Sequence, residues 1–321
     1  MLACSGFCVQ FLDAQGSNAL SSRSMGADSM QNQGHPTQAI DLDHIGFIVP
    51  DLNAARDLFV DLGFVLTDRA DHTRSNAQGQ TVSAGSSQHS IMFEVGYIEL
   101  MQITDAQAGH QLTPALGERY GLHVLALGCA DARAWHAQCL QNALAVRPVM
   151  DWSRPVRTPE RSGLARFSYF DAPWQPSDPS YVCWVQHVTP ELVRSPSLLR
   201  HPNGARALRT LHYEGGADEL AQWAAVLQAS GAQAATAAPG GAMTLQLGPS
   251  AIDLQPIAQR QRVLPSALTL EFSSLEDIER RADRLQLPRL HHSAERLSLD
   301  LRAACGLVLH AVKESGAAAG P

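Results

Sequence analysis

The sequence predicts an α+β protein made of tandem βαβββ units that pair into two half-barrels. The order strand, helix, strands recurs four times along the 321 residues. Each predicted helix is followed by strands alone, which excludes the alternating βαβα order of a doubly wound parallel sheet. Hydrophobic residues make up 45% of the chain, enough for two domains with ordinary cores.

The first unit shows this order most clearly. Residues 42–49 form an apolar strand that Pro50 and Asp51 end, and residues 53–62 carry an apolar stripe with helical spacing. Gly63 follows the stripe, as expected at a helix C-terminus. The closing strands are predicted at 65–74, 88–94 and 97–103.

The other three units repeat the same order with weaker patterns. The second has a strand at 123–128, a helix at 131–143 and strands at 146–157, 166–171 and 181–188. The third has a strand at 207–213, a helix at 218–230 and strands at 243–247 and 251–257. The fourth has a strand at 267–272, a helix at 275–285 and strands at 296–301 and 306–312.

Breaker residues divide the chain between the second and third units. A run with strong turn signals contains Pro190, Pro196, Pro202, Asn203 and Gly204. We therefore predict an N-terminal domain at 41–195 and a C-terminal domain at 206–313. Residues 1–40, rich in Ser, Gly, Gln and Asn, are predicted to be a disordered tail or an over-extended gene start, and residues 314–321 a second tail.

Charge and composition exclude several function classes. The net charge is −7 and no run of Lys or Arg occurs, so nucleic acid is not an expected partner. No stretch approaches the roughly 20 apolar residues that cross a membrane. The six cysteines form no CxxC pair, which favours a reducing, cytoplasmic location. We expect a small-molecule substrate, and a homodimer is compatible with this composition.

Several motifs resemble a known superfamily. Residues 43–52 (DHIGFIVPDL), 62–64 (LGF) and 96–100 (GYIEL) resemble the vicinal oxygen chelate superfamily, which includes glyoxalase I, extradiol dioxygenases and bleomycin resistance proteins. Stretches at 85–93, 121–127, 186–191 and 201–205 are similar to its glyoxalase-like domain branch. The resemblance implies half-barrels of the glyoxalase/dihydroxybiphenyl dioxygenase type, and a divalent metal that chelates two neighbouring substrate oxygens.

The resemblance also implies a set of metal ligands. An ionised Glu99 within an apolar strand costs several kcal/mol unless it is paired or bound to metal. In the superfamily each paired unit gives a ligand from its first strand, which implies His44 and His123 beside Glu99. The second unit has no Glu in its closing strand, so His187 is the candidate fourth ligand, with Gln186 as the alternative. The alternatives are an exposed Glu99, a turn residue at His123, and a capping or ligand-orienting His187.

Other polar and aromatic residues are candidates for substrate contacts. His72 and His89, in the middle strands of the first unit, are candidate catalytic acids or bases. Arg154 and Arg157 could hold a substrate carboxylate, and Trp184 could form an apolar pocket wall. The alternatives are solvated strand or loop positions for the histidines and arginines, and core packing for Trp184.

The C-terminal domain is predicted to have a degenerate site. Asp253 matches Glu99 by local context, but no histidine clearly matches His44. We therefore predict that this half supports the N-terminal half.

These observations lead to two main hypotheses; a third, a structural dimerisation module, leaves Glu99 unexplained. The first is a metal-dependent lyase, isomerase or oxygenase acting on a small oxygenated molecule, with iron, zinc, nickel or manganese as cofactor. The second is a metal-free protein that sequesters a small molecule, as bleomycin resistance proteins do.

Overall fold

The computed structural model describes residues 40–75, 78–115, 119–237 and 239–314. They form two curled, mixed eight-stranded sheets, each made of two units. This confirms the predicted α+β class with two half-barrels. Of the two predicted tails, only Ile40 and Glu314 lie within the described residues, and Ile40 is buried.

The N-terminal sheet and its helices come from the first two units. The strands are β1 (Asp41–Ile48), β2 (Ala70–Ser75), β3 (Thr81–Met92), β4 (Tyr97–Ile103), β5 (Gly121–Gly128), β6 (Met150–Arg157), β7 (Ser162–Asp171) and β8 (Tyr181–His187). Their order across the sheet is β2-β3-β4-β1-β5-β8-β7-β6. The helices are α1 (Leu52–Asp61), α2 (Ala132–Gln141) and the short α3 (Pro190–Val193).

The C-terminal sheet repeats this plan. The strands are β9 (Ala205–Gly215), β10 (Gln233–Ala237), β11 (Met243–Leu247), β12 (Ser250–Pro256), β13 (Leu264–Phe272), β14 (Arg289–His292), β15 (Arg296–Asp300) and β16 (Val308–Lys313). Their order is β10-β11-β12-β9-β13-β16-β15-β14. The helices are α4 (Ala217–Ala229), α5 (Glu276–Arg284) and α6 (Arg302–Cys305).

The centre of each sheet has local two-fold symmetry. The first strand of every unit pairs in parallel with its last strand, and the first strands of paired units run antiparallel to each other. Four strands from two units therefore meet at the centre of each cup. Because strand side chains alternate between faces, each of these strands sends every second residue into the cup.

Equivalent aspartates start the first two helices. The Asp51 side chain accepts hydrogen bonds from the backbone N–H groups of Asn53 and Ala54, and Asp131 does the same for Arg133 and Ala134. Each carboxylate satisfies two N–H groups that the first helical turn leaves unpaired. Asp51 and Asp131 are therefore equivalent positions from which the residues of the first two units can be aligned.

The outer faces of both sheets share one continuous core. Phe64 packs against Phe272 of the other sheet with ring centroids 6.2 Å apart. The Trp184 indole N–H donates to the Ser230 carbonyl at 3.1 Å. Within the predicted linker, His201 bonds the Val65 N–H at 2.9 Å and the Met92 carbonyl at 2.8 Å. The segment between the domains is therefore packed structure.

The inner face of the N-terminal cup is partly covered by the chain itself. Leu112 and Ala115, in the connection from β4 to β5, are buried against one end of the face. Val193 and Leu192, from α3, pack on the other end against Met92 and Phe167. A polar band remains between these two apolar ends.

The C-terminal cup has no such cover from the equivalent connection. Residues 257–263 join β12 to β13, whereas residues 104–120 join β4 to β5. Val263 of the shorter connection packs in the shared outer core. The inner face of this cup therefore keeps an open cavity.

Two strands were missing from the prediction, and two begin five or more residues from their predicted starts. β10 (QAATA) and β14 (RLHH) were not predicted, because small or fully exposed residues give no alternating apolar pattern. β2 begins at Ala70, five residues after the predicted start at Val65. β3 begins at Thr81, seven residues before the predicted start at 88.

Among the helices of the described residues, none has the length and apolar character of a membrane span.

Candidate functional site

Asp43 and His123 occupy equivalent irregular positions in the first two units. On β1, Leu42 and His44 pair with residues of β5, but Asp43 between them does not. On β5, Leu122 and Val124 pair with residues of β1, but His123 between them does not. Each is the extra residue of a β-bulge. Each also lies eight residues before its helix cap, at Asp51 and Asp131. The counterpart of His44 in the second unit is therefore Val124.

Asp43 forms the centre of a buried polar cluster. Its side chain is 6% exposed, and Oδ2 lies 2.8 Å from His44 Nδ1. The other partner is His187, whose Nε2 lies 3.0 Å from Oδ1 and 3.1 Å from Oδ2. Arg194 approaches Oδ1 at 3.7 Å. Because a carboxylate can only accept, each histidine donates a ring N–H to Asp43.

The cluster keeps Asp43 ionised. Burial by itself would raise the pKa of Asp43, but the charges and hydrogen bonds of His187 and His44 outweigh it, and the pKa lies well below its usual range. His44 stacks on Tyr97 with ring centroids 4.3 Å apart. Burial, with the nearby charges of Asp43 and Glu99, raises the pKa of Tyr97 well above 10.0.

Glu99 lies beside His72 on the same inner face. Glu99 Oε1 is 3.9 Å from His72 Nε2, and His72 Nδ1 is 2.6 Å from Ser86 Oγ. The His72 ring stacks on His110, at 6.1 Å between centroids, and lies 5.9 Å from Trp152. The structure therefore pairs a predicted metal ligand with a predicted acid or base.

His123 does not join either group. It is 2% exposed, and its Nδ1 donates to the Gly121 carbonyl at 2.8 Å. Burial, followed by the positive charge of Arg119, lowers the pKa of His123 to about 4. His123 lies apart from both groups because it is the extra residue of the bulge in β5.

The four predicted metal ligands are not brought together. His44 and His187 share Asp43, Glu99 faces His72, and His123 lies apart. The second-unit positions that correspond to His44 and Glu99 hold Val124 and Cys183, which pack in an apolar cluster. In the described part of the chain, no three His, Cys, Asp or Glu side chains are placed to hold a metal ion. These residues therefore do not fit the two-histidine, one-carboxylate set.

The other predicted residues lie in different environments. His89 is buried, pairs with Leu100 and bonds the Thr67 carbonyl at 2.8 Å through Nδ1. Because Leu100 packs in the shared outer core, His89 faces away from the cup. Arg154 lies over the Phe167 ring at 5.8 Å on the inner face. Arg157 is exposed at the end of β6.

Trp184 packs in the outer core, away from the cup. It is 0% exposed and stacks on Phe170 with ring centroids 4.8 Å apart. We expect Trp184→Phe to lower the free energy of unfolding by about 2 kcal/mol, because the change removes ring volume and the indole hydrogen bond. Urea denaturation monitored by circular dichroism measures this, and an unchanged midpoint would contradict the packing role.

Asp43, Arg194 and Tyr97 were not predicted as site residues. One signal in the sequence could have identified Asp43. Aligning the units on their helix-capping aspartates places Asp43 opposite His123 and leaves His44 opposite Val124. The approach of Arg194 to Asp43 had no sequence signal, because the two residues are far apart along the chain.

Comparisons with known proteins agree with this architecture. A family model described as "Glyoxalase-like domain" matches residues 42–230. A search of curated protein sequences finds no significant match. A hypothetical protein from Staphylococcus aureus is similar in structure, with a TM-score of 0.60, 11% identity, and coverage of 85% of this chain and 99% of that chain.

Two further solved structures share the fold. A mutant of 4-hydroxymandelate synthase from Streptomyces coelicolor has a TM-score of 0.57 and 12% identity, and the match covers 87% of this chain and 94% of that chain. A xylose isomerase-like TIM barrel/4-hydroxyphenylpyruvate dioxygenase fusion protein has a TM-score of 0.55 and 15% identity, with 89% and 51% covered. At these identities the matches establish the fold alone.

Proposed function

This chain belongs to the glyoxalase-like domain family of the vicinal oxygen chelate superfamily, and on that premise we propose that its N-terminal cup catalyses proton transfer on a small oxygenated molecule. The reaction class is isomerase or lyase. His44 is the base, Asp43 positions it, and Glu99 with His72 forms a second acid–base pair. The predicted divalent metal has no step here, because the described residues of the inner face offer no ligand set that fits it.

The hydrogen bond between Asp43 and His44 carries this proposal. Because Nδ1 donates its proton to an ionised carboxylate, the lone pair of neutral His44 lies on Nε2. No described residue hydrogen-bonds to Nε2, and the His44 side chain is 12% exposed. A histidine fixed in one tautomer by a buried carboxylate is a typical general base.

Neighbouring groups provide the rest of the reaction. Removing a proton from a carbon beside a carbonyl leaves an enolate, whose negative charge needs a nearby cation or donor. Arg154 lies on the inner face near Tyr97, where its positive charge lowers the tyrosine pKa against the dominant effect of burial. Glu99 with His72 can return the proton. The apolar ends of the cup would hold the carbon skeleton.

Deuterium exchange tests the proposal without a known product. Purified protein is incubated in D₂O with a panel of 2-oxo acids and α-hydroxy ketones, and deuterium incorporation is followed by proton NMR. We expect exchange that a chelator does not reduce, that His44→Gln abolishes and that Asp43→Asn slows at least about tenfold. Exchange that requires added metal, or that survives His44→Gln, would contradict it.

A second candidate function is metal-free sequestration of a small molecule. It is favoured by the apolar Val124 and Cys183 at the second-unit ligand positions. Saturable binding of a panel compound, with no exchange in wild-type protein, would support sequestration and rule out the proton-transfer proposal.

Cellular location and assembly are also proposals. The buried free thiols of Cys129, Cys139, Cys183 and Cys305 are consistent with a reducing cytoplasm. A homodimer stays a prediction, which light scattering on the purified chain would test.

A further inference from the structure

The C-terminal cup contains a cavity of about 280 Å³. Several of its polar lining residues, among them His212, Asp253 and His310, lie on central strands of the sheet. His212 of β9 pairs with Asp253 of β12, and Thr269 of β13 pairs with His310 of β16. The domain predicted to be a support therefore holds four polar residues at its centre.

The described residues that line this cavity include two carboxylates but no Lys or Arg. The two carboxylates are those of Asp253 and Glu214. Glu214 is paired with Arg260 at 2.7 Å. Asp253 instead accepts from the Thr244 hydroxyl at 2.8 Å and faces His212 Nδ1 at 3.4 Å. The Asp253 side chain is 40% exposed, and the described lining offers it a compensating positive charge only if His212 is protonated.

The histidines in the cavity do not supply that charge at neutral pH. Burial lowers the pKa of His212, although Asp253 acts in the opposite direction. Burial, with the exposed Arg296, lowers the pKa of His310 to about 4. Two contacts fix the rings: His212 Nε2 lies 2.8 Å from Thr269 Oγ1, and His310 Nδ1 lies 2.8 Å from Ser298 Oγ. The cavity therefore carries net negative charge beside hydrogen-bond acceptors.

We propose that the C-terminal cup is a second ligand site, separate from the N-terminal acid–base site, and that it takes a small organic ammonium compound. The ammonium group would lie against Asp253, with neutral His310 accepting a further hydrogen bond. Met243 and Leu254 give the lining an apolar part for a short carbon chain. The volume has room for roughly nine waters at about 30 Å³ each, which limits the ligand to a compact molecule.

An ammonium compound fits this site better than a metal ion. The carboxylate and the two histidines are not placed to converge on one ion, as is true of all such groups in the described part of the chain. An ammonium group needs only acceptors around a negative charge, without fixed coordination geometry. An anion would meet the Asp253 carboxylate, and no Lys or Arg is among the described residues that line the cavity.

Matched ligand pairs test this site. Ethanolamine, serinol and glucosamine are titrated into the full chain by calorimetry, beside the neutral counterparts ethylene glycol, glycerol and glucose. At least one amine should bind at least about tenfold more tightly than its counterpart, and Asp253→Asn should remove that preference. Asp61→Asn removes the same charge at an exposed position of the other half and should leave binding unchanged.

Three results would overturn the proposal. They are no binding of any amine to wild-type protein, equal binding of neutral counterparts, and a preference that survives in a folded Asp253→Asn variant. A titration with zinc chloride tests whether the cavity binds a metal ion instead. Zinc binding that displaces the amines and is lost in His310→Gln would identify the ligand as a metal ion. Circular dichroism of each variant establishes that it is folded.

Discussion

Replacing Asp43 with alanine is expected to lower the free energy of unfolding by about 3–5 kcal/mol. The change leaves the N–H groups of His44 and His187 without their acceptor, and Arg194 loses the nearby carboxylate. Removing one partner of a buried ion pair is costly because the remaining polar groups stay out of water. Equilibrium urea denaturation at neutral pH measures the loss.

Two variants control this experiment. Asp43→Asn keeps one acceptor oxygen and should destabilise the protein less than Asp43→Ala does. Asp57→Ala removes an exposed carboxylate that pairs with Arg56, and it should have little effect because exposed ion pairs contribute little. A similar small effect of Asp43→Ala would show that the buried cluster does not stabilise the fold.

The second large effect is a loss of stability between pH 6.5 and pH 4. His123 has a pKa of about 4, against an ordinary value of 6.5. Between these values the unfolded chain binds a proton that the folded chain does not, so stability rises with pH and falls on acidification. The difference corresponds to about 3 kcal/mol for His123 alone. His110 and His310, also with pKa values of about 4, act in the same direction.

Urea midpoints measured from pH 7.5 to pH 4.5 test this expectation. His123→Asn keeps a donor for the Gly121 carbonyl but does not titrate, so stability should fall less steeply with acid. His291→Asn, at an exposed site on β14, is the matched control and should keep the wild-type slope. Equal slopes in wild type and His123→Asn would contradict the prediction. The pKa of Asp43 is lower in the folded chain than in the unfolded chain, so its stabilising contribution decreases only below about pH 4, where the unfolded chain takes up the proton. The two effects are therefore separable.

The metal-ligand prediction depended on the resemblance to the superfamily. The structure places His44 and Glu99 on the inner face of the N-terminal cup. The resemblance grouped His123 with His44, but β1 and β5 of the N-terminal cup each contain a bulge. One extra residue shifts every later side chain to the opposite face. A bulge depends on the partner strand, so a single strand's pattern does not reveal it.

The sequence also did not predict which of the two cups is open. Both cups have the same strand order, and the stronger sequence motif lies in the first cup. The connection at 104–120 brings Leu112 and Ala115 onto the inner face of the first cup, whereas the connection at 257–263 leaves the second open. Whether a loop enters a cup depends on contacts with strands far away in the chain.

The sequence by itself determined the four-unit order, the helix positions and the faces of the regular strands. These follow from local causes: apolar period, breaker residues and the capping aspartates Asp51 and Asp131. Only the tertiary structure decided that Asp43 joins His44 to His187, that Trp184 belongs to the shared core, and that the open cavity lies beside Asp253. Those outcomes depend on strand register and on loops packing across distant strands, which are non-local interactions that no short stretch of sequence encodes.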